Sequence, residues 1–108
     1  MIQVYAKEFI NICRYLERIG CEKRGGRFYV EKGQLQELLE RNNYERAQIK
    51  LKIWKELKWL VADEGHMTKR IYVGQGKYQR IYVIDVGIYQ SIKQLIRNEN
   101  TAFGGGHK

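Results

Sequence analysis

The tetrapeptide Arg-Ile-Tyr-Val occurs twice, at 70–73 and at 80–83, with Gly74-Gln75-Gly76 between the copies. Apolar residues alternate with arginine or tyrosine in both, the two-residue period of a strand with one half-buried face. Matched strands around a glycine-rich tip predict a β-hairpin over 67–83. For Ile71, Val73, Ile81 and Val83 to share a face, the numbers of opposed residues must add to an even value, so the loop must be odd. A three-residue loop, Gly74 to Gly76, with Gly76 left-handed, meets that condition. It sets Val73 opposite Lys77, Tyr72 opposite Tyr78 and Arg70 opposite Arg80. Opposed arginines repel and destabilise a sheet slightly, and an anion seated over them would reverse that sign. A solvated face with arginine stems lying on the sheet is the plainer alternative. Lys69, Lys77 and the tyrosines on the same hairpin favour the anion.

Upstream of the hairpin, Tyr44–Lys58 predicts a basic helix, joined to it by a short strand at 59–62 and a turn at Asp63-Glu64-Gly65. At about 100° per residue, Ala47, Leu51, Ile53, Trp54 and Leu57 fall on one arc, with Ile49 at its edge. Gln48, Lys52 and Lys55 lie opposite with Glu45 and Glu56. Lys50 and Arg46 fall inside the apolar arc, which the periodicity does not explain. A lysine run on a helix is most often a solvated face. Here it directly precedes a basic hairpin, an order suited to a helix in a groove with a hairpin on the backbone beside it.

Net charge sharpens that reading. The chain carries +8 overall. Residues 31–64 balance, whereas 65–98 hold six Lys/Arg against Asp85 alone. Excess positive charge concentrated at the hairpin predicts a polyanionic partner. Hydrophobic content of 44% over 108 residues supports one folded domain, expected over 1–98, followed by a flexible tail at 99–108 that includes Gly104-Gly105-Gly106. No apolar run approaches the ~20 residues of a membrane span. No signal peptide opens the chain, and the expected location is cytoplasmic. Cys13 and Cys21 match no zinc spacing and read as reduced thiols, so neither metal nor cofactor is expected.

The remaining elements follow from periodicity and caps. Tyr5, Phe9, Ile12, Leu16 and Ile19 form a helical stripe over 3–19, closed by Gly20. Cys21 to Arg27 reads as a loop and Phe28-Tyr29-Val30 as a strand. Leu35, Leu38 and Leu39 face inward from a helix at 32–42. Asn42-Asn43 marks a tight turn, with Asn43 as cap for the next helix. Asp85 caps a last helix at 86–97 with Ile88, Ile92, Leu95 and Ile96 along one side.

The order helix, strand, helix, turn, helix, strand, hairpin, helix resembles the winged helix-turn-helix domain over residues 3–85. Leu57-Lys58-Trp59-Leu60-Val61 is similar to that family's exit from its recognition helix, although the family often has glycine where Lys58 stands. The resemblance implies an α+β fold of three helices and a small antiparallel sheet with a β-hairpin wing, here with a C-terminal helix added. It implies that Gln48, Lys52 and Lys55, with Lys50 on the same helix, meet DNA from the recognition helix. It implies likewise that Lys69, Arg70, Tyr72, Lys77, Tyr78 and Arg80 meet it from the wing. Double-stranded DNA is the expected partner, for a small transcriptional regulator or a replication or transfer accessory factor borne by a plasmid or phage. The two apolar-striped terminal helices leave room for a homodimer. Fold alone does not give function; a protein-interaction module or inhibitor that binds a nucleic-acid enzyme is the second reading, and an RNA-binding domain the third. No catalytic motif accompanies His66, His107 or Ser91, and an enzyme is not expected.

Overall fold

The computed structural model describes the backbone of residues 2–104 and the side chains of residues 2–97. The elements run α1 (Ile2–Arg18), β1 (Lys23–Arg24), β2 (Arg27–Val30), α2 (Lys32–Glu40), α3 (Ala47–Glu56), β3 (Lys69–Gly74), β4 (Lys77–Asp85) and α4 (Val86–Gly104). The strands form one antiparallel sheet in the order β1-β2-β4-β3. The α+β class expected from the sequence is therefore present. No helix among the described residues is long and apolar enough to cross a membrane.

The stripe of α1 buries Tyr5, Phe9, Ile12 and Leu16. The helix closes as expected. Gly20 takes a left-handed φ of 73°, and the Cys21 N–H bonds the Leu16 carbonyl at 2.9 Å, satisfying an orphan carbonyl of the last turn. Ile19 lies past that turn and is exposed. Phe9 meets Trp54 edge-on at 5.0 Å between centroids and Trp59 at 4.7 Å. This aromatic cluster joins α1 to α3 and to the chain leaving α3. At the other end of α1, the Tyr89 hydroxyl of α4 donates to Glu17 at 2.9 Å.

α3 begins at Ala47, three residues later than its sequence suggests. Arg46 occupies the cap position in extended conformation with no side-chain cap, and Asn43 does not cap. The turn residues Asn42 and Tyr44 are instead tied to Glu8 of α1. α3 ends at Glu56, and Lys58 then adopts a left-handed φ of 66°. The Trp59 N–H returns to the Trp54 carbonyl at 2.8 Å. A lysine thus stands where the backbone asks for glycine.

β4 is the central strand. Ile81-Tyr82-Val83-Ile84 is buried throughout, so both faces of its second half are covered rather than one. β2 pairs along 82–85. On the other edge, the strand expected at 59–62 reduces to one bridge, Leu60 to Ile84. Bonds from Val61 N–H to Val83 O at 2.8 Å and from Asp85 N–H to Trp59 O at 3.2 Å flank it. β3 takes the rest of that edge from Ile81 outward, which leaves no room for a longer strand. The expected loop at 21–27 contains a small hairpin instead: β1 and β2 turn about Gly25 and Gly26, both left-handed. Asp85 caps α4, accepting the Ile88 N–H at 3.1 Å. α4 continues to Gly104, past the end expected at 97. The remainder of the expected tail, 105–108, lies outside the described residues.

Candidate nucleic-acid interface

Lys50 was expected among the DNA contacts, and the structure corrects this: its side chain is 0% exposed. Its ammonium donates to Glu8 Oε2 at 3.0 Å, to the Leu39 carbonyl at 2.7 Å and to the Asn42 carbonyl. It also lies 4.1 Å from the centre of the Tyr44 ring. All three of its donors are used inside the protein. Glu8 in turn accepts from Asn42 Nδ2 at 3.3 Å and from the Tyr44 hydroxyl. Burial, and then the bond to Glu8, hold the Tyr44 hydroxyl protonated far above an ordinary phenol. The network spans α1, the end of α2, the turn and α3. A buried charge must be paired, and here the pairing fixes how α3 leaves the turn.

With Lys50 turned inward, the outer surface of α3 is made by Gln48, Ile49, Lys52 and Glu56, all exposed, with Lys55 half-buried beside them. Gln48, Lys52 and Lys55 therefore lie together on the face drawn for them from sequence. Arg46, at the head of the helix, is exposed. Leu57, expected on the apolar arc, is exposed, as is Ile49 at the edge of that arc.

The hairpin keeps the predicted register over most of its length. Arg70 pairs with Arg80 and Tyr72 with Tyr78. At the tip the prediction fails: Gly74 pairs with Lys77 across a two-residue turn, and an irregularity between Tyr72 and Gly74 absorbs the extra residue. Gln75 (φ 54°) and Gly76 (φ 70°) are both left-handed, as a tight primed turn requires. The Gly76 N–H donates to the Tyr72 hydroxyl at 3.0 Å. Val73, expected on the buried face, is exposed because the tip extends past the core.

The opposed arginines do not form a bare like-charge pair. Arg80 donates through Nη2 to Asp63 Oδ2 at 2.8 Å and through Nε to the Thr68 hydroxyl at 2.9 Å. Asp63 Oδ2 also accepts the Arg70 backbone N–H at 2.9 Å, and Lys69 Nζ stands 3.7 Å from Oδ1. The Arg70 N–H, then Arg80 and Lys69, hold the Asp63 carboxyl below its usual range. Arg80 is thus an anchor between the hairpin and the turn at 63–66, where the Asp63 carboxylate is the anion beside it. Lys69 is shared between that anchor and the surface. The Arg70 guanidinium lies on the Tyr78 ring, 4.0 Å from its centre, and Arg70 and Lys77 are exposed. Tyr72 and Tyr78 meet edge to face at 5.3 Å.

No protein-family model matches this chain, and no curated protein matches it.

Three residues central to this geometry went unnoticed in the sequence: Glu8, Asp63 and Thr68. Glu8 had a signal. It falls one residue before Phe9 and three after Tyr5, an acid on the apolar stripe of one helix, while Lys50 is a base within the apolar arc of another. Two opposite charges stranded on inward faces could have been paired. Asp63 carried only a turn signal, and Thr68 fell inside the hairpin expected over 67–83 with no signal of its own.

Proposed function

We propose that this chain is a winged helix-turn-helix protein that binds duplex DNA, with α3 as recognition helix and the β3–β4 hairpin as wing. Gln48, Lys52 and Lys55 meet base edges or phosphates in the major groove, and Arg70 and Lys77, with Lys69 at the base of the hairpin, meet the backbone. The role is that of a small transcriptional regulator or a replication or transfer accessory factor. The observation that carries this reading is the conjunction of an outward hydrophilic, basic face on α3 with an exposed cationic hairpin on the same small body. A helix with its side chains is about 10–12 Å across and the major groove of B-DNA about 12 Å wide.

Selection of bound sequences from random duplexes, with wild type and the double variant Lys52→Ala/Lys55→Ala, tests it. The reading requires enrichment by the wild type and a loss of roughly 1–3 kcal/mol in the variant. A palindromic consensus would add the dimer. One observation favours a second reading: Ile49 of α3 and Leu57 just past its end expose apolar surface, which suits a protein partner such as a nucleic-acid enzyme. Absence of any enriched sequence, with a folded protein, would favour that module.

A further inference from the structure

Phosphate recognition leaves the hairpin tip unexplained. Tyr72, Val73 and Tyr78 are exposed by 59%, 51% and 55%, respectively. Phosphates need charge and hydrogen-bond donors, whereas adjoining exposed apolar side chains at a projecting tip call for an apolar counterpart. The tyrosines are opposed across the strands with their rings 5.3 Å apart. The Gly76 N–H holds the Tyr72 hydroxyl at 3.0 Å, and Arg70 packs on Tyr78 at 4.0 Å. These contacts orient both rings and leave each more than half exposed. Exposed Arg70 stands on the Tyr78 ring, and exposed Lys77 precedes Tyr78 in β4, which adds positive charge beside the pair. Aromatic faces set among cations are the elements of a platform for unpaired bases, because every base has a π-face and the strand that carries it is anionic.

We propose that the Tyr72–Tyr78 pair stacks on an unpaired base of DNA, so that the protein prefers a duplex ending in a single strand to a blunt duplex. The inference rests on the DNA-binding reading above and adds the junction as its target. A base that has left its stack offers a free face to an exposed ring of the pair, while Arg70 and Lys77 take the phosphates on either side of it. Within an intact duplex the same rings would first have to unstack a base step, at a cost of a few kcal/mol per step. That difference is the origin of the preference.

Affinity is measured for a blunt duplex and for the same duplex with a short single-stranded extension carrying a fluorescent purine analogue beside the junction. Wild type is compared with Tyr72→Ala, Tyr78→Ala, Tyr72→Phe and Tyr78→Phe. Thermal melting checks that each is folded. The expected result is a preference of about tenfold or more for the extended DNA, with quenching of the analogue. Each alanine variant should bring the ratio towards unity, and the phenylalanine variants, which keep the ring, should retain it. Equal wild-type affinity for the two DNAs without quenching overturns the stacking site. If duplex binding then still falls on replacing Lys52 and Lys55, the broader DNA reading survives. Binding to neither DNA overturns both. A preference that persists in both alanine variants assigns it to other residues and also overturns the proposal.

Discussion

Replacing Lys50 with methionine keeps the length of the stem and removes the charge. In the native protein that ammonium bonds Glu8 at 3.0 Å, the Leu39 carbonyl at 2.7 Å and the Asn42 carbonyl, with no exposed surface. Its loss leaves Glu8 with only Asn42 and Tyr44 as donors and strips two carbonyls of theirs. Removing one member of a buried pair costs roughly 3–5 kcal/mol, against about 5–15 kcal/mol for the whole stability of a domain. At about 4–8 °C per kcal/mol for a domain near this size, the variant should melt well over 10 °C lower. Glu8→Gln should cost a similar amount, since the buried lysine then loses its carboxylate partner. The double variant Glu8→Gln/Lys50→Met removes both charges, so its cost should fall short of the two single costs added together by about 0.5–3 kcal/mol. It should not be neutral, because each abandoned carbonyl still costs about 1–3 kcal/mol. Denaturant melts of the four proteins give the cycle. Unchanged or raised stability in Lys50→Met, or strict additivity, would refute the buried network and return Lys50 to the surface.

Arg80→Ala should lower the melting temperature and loosen the turn at 63–66, because Asp63 and Thr68 lose their shared partner. Arg70→Ala should leave stability nearly unchanged while weakening DNA binding equally on specific and random duplexes, since phosphate contacts carry no sequence information. Lys58→Gly should raise stability by about 0.5–1 kcal/mol, removing a Cβ from a left-handed residue; a lower melting temperature would contradict that account. The depressed Asp63 carboxyl contributes stability that is fully present above the ordinary carboxylate range and lost as pH falls through its lower folded value. Asp63→Asn should therefore flatten the acid limb of the stability profile below about pH 4, and an unaltered limb would count against the Asp63 anchor.

Elements with one strong period could be read from sequence. The α1 stripe, the leucines of α2 and the pairing of Arg70 with Arg80 all follow from apolar spacing and turn parity. What escaped involves long-range partners. The start of α3 was placed too early because Asn43 does not cap it, and Asn42 and Tyr44 on either side are tied to Glu8, far away in the chain. Arg80 was assigned to a phosphate because a strand pattern shows which face a side chain takes, not that Asp63 and Thr68 wait there. The tip was misjudged by a smaller margin: an odd loop and a two-residue turn with one irregularity satisfy the same parity, and only backbone geometry separates them. Lys58 was noted as a departure from glycine, and its left-handed φ gives that departure a physical meaning.

The central claim is that α3 and the hairpin grip a DNA backbone. Its most direct test is the affinity for a duplex measured across a range of salt concentrations. If Lys52, Lys55, Arg70 and Lys77 each neutralise one phosphate, log affinity should fall against log salt with a slope of about −3.6, and the slope should flatten by about 0.9 in Arg70→Ala. Tight, salt-dependent binding with that change in slope is the predicted result. Absence of duplex binding at low salt, or a slope that Arg70→Ala leaves untouched, would contradict it.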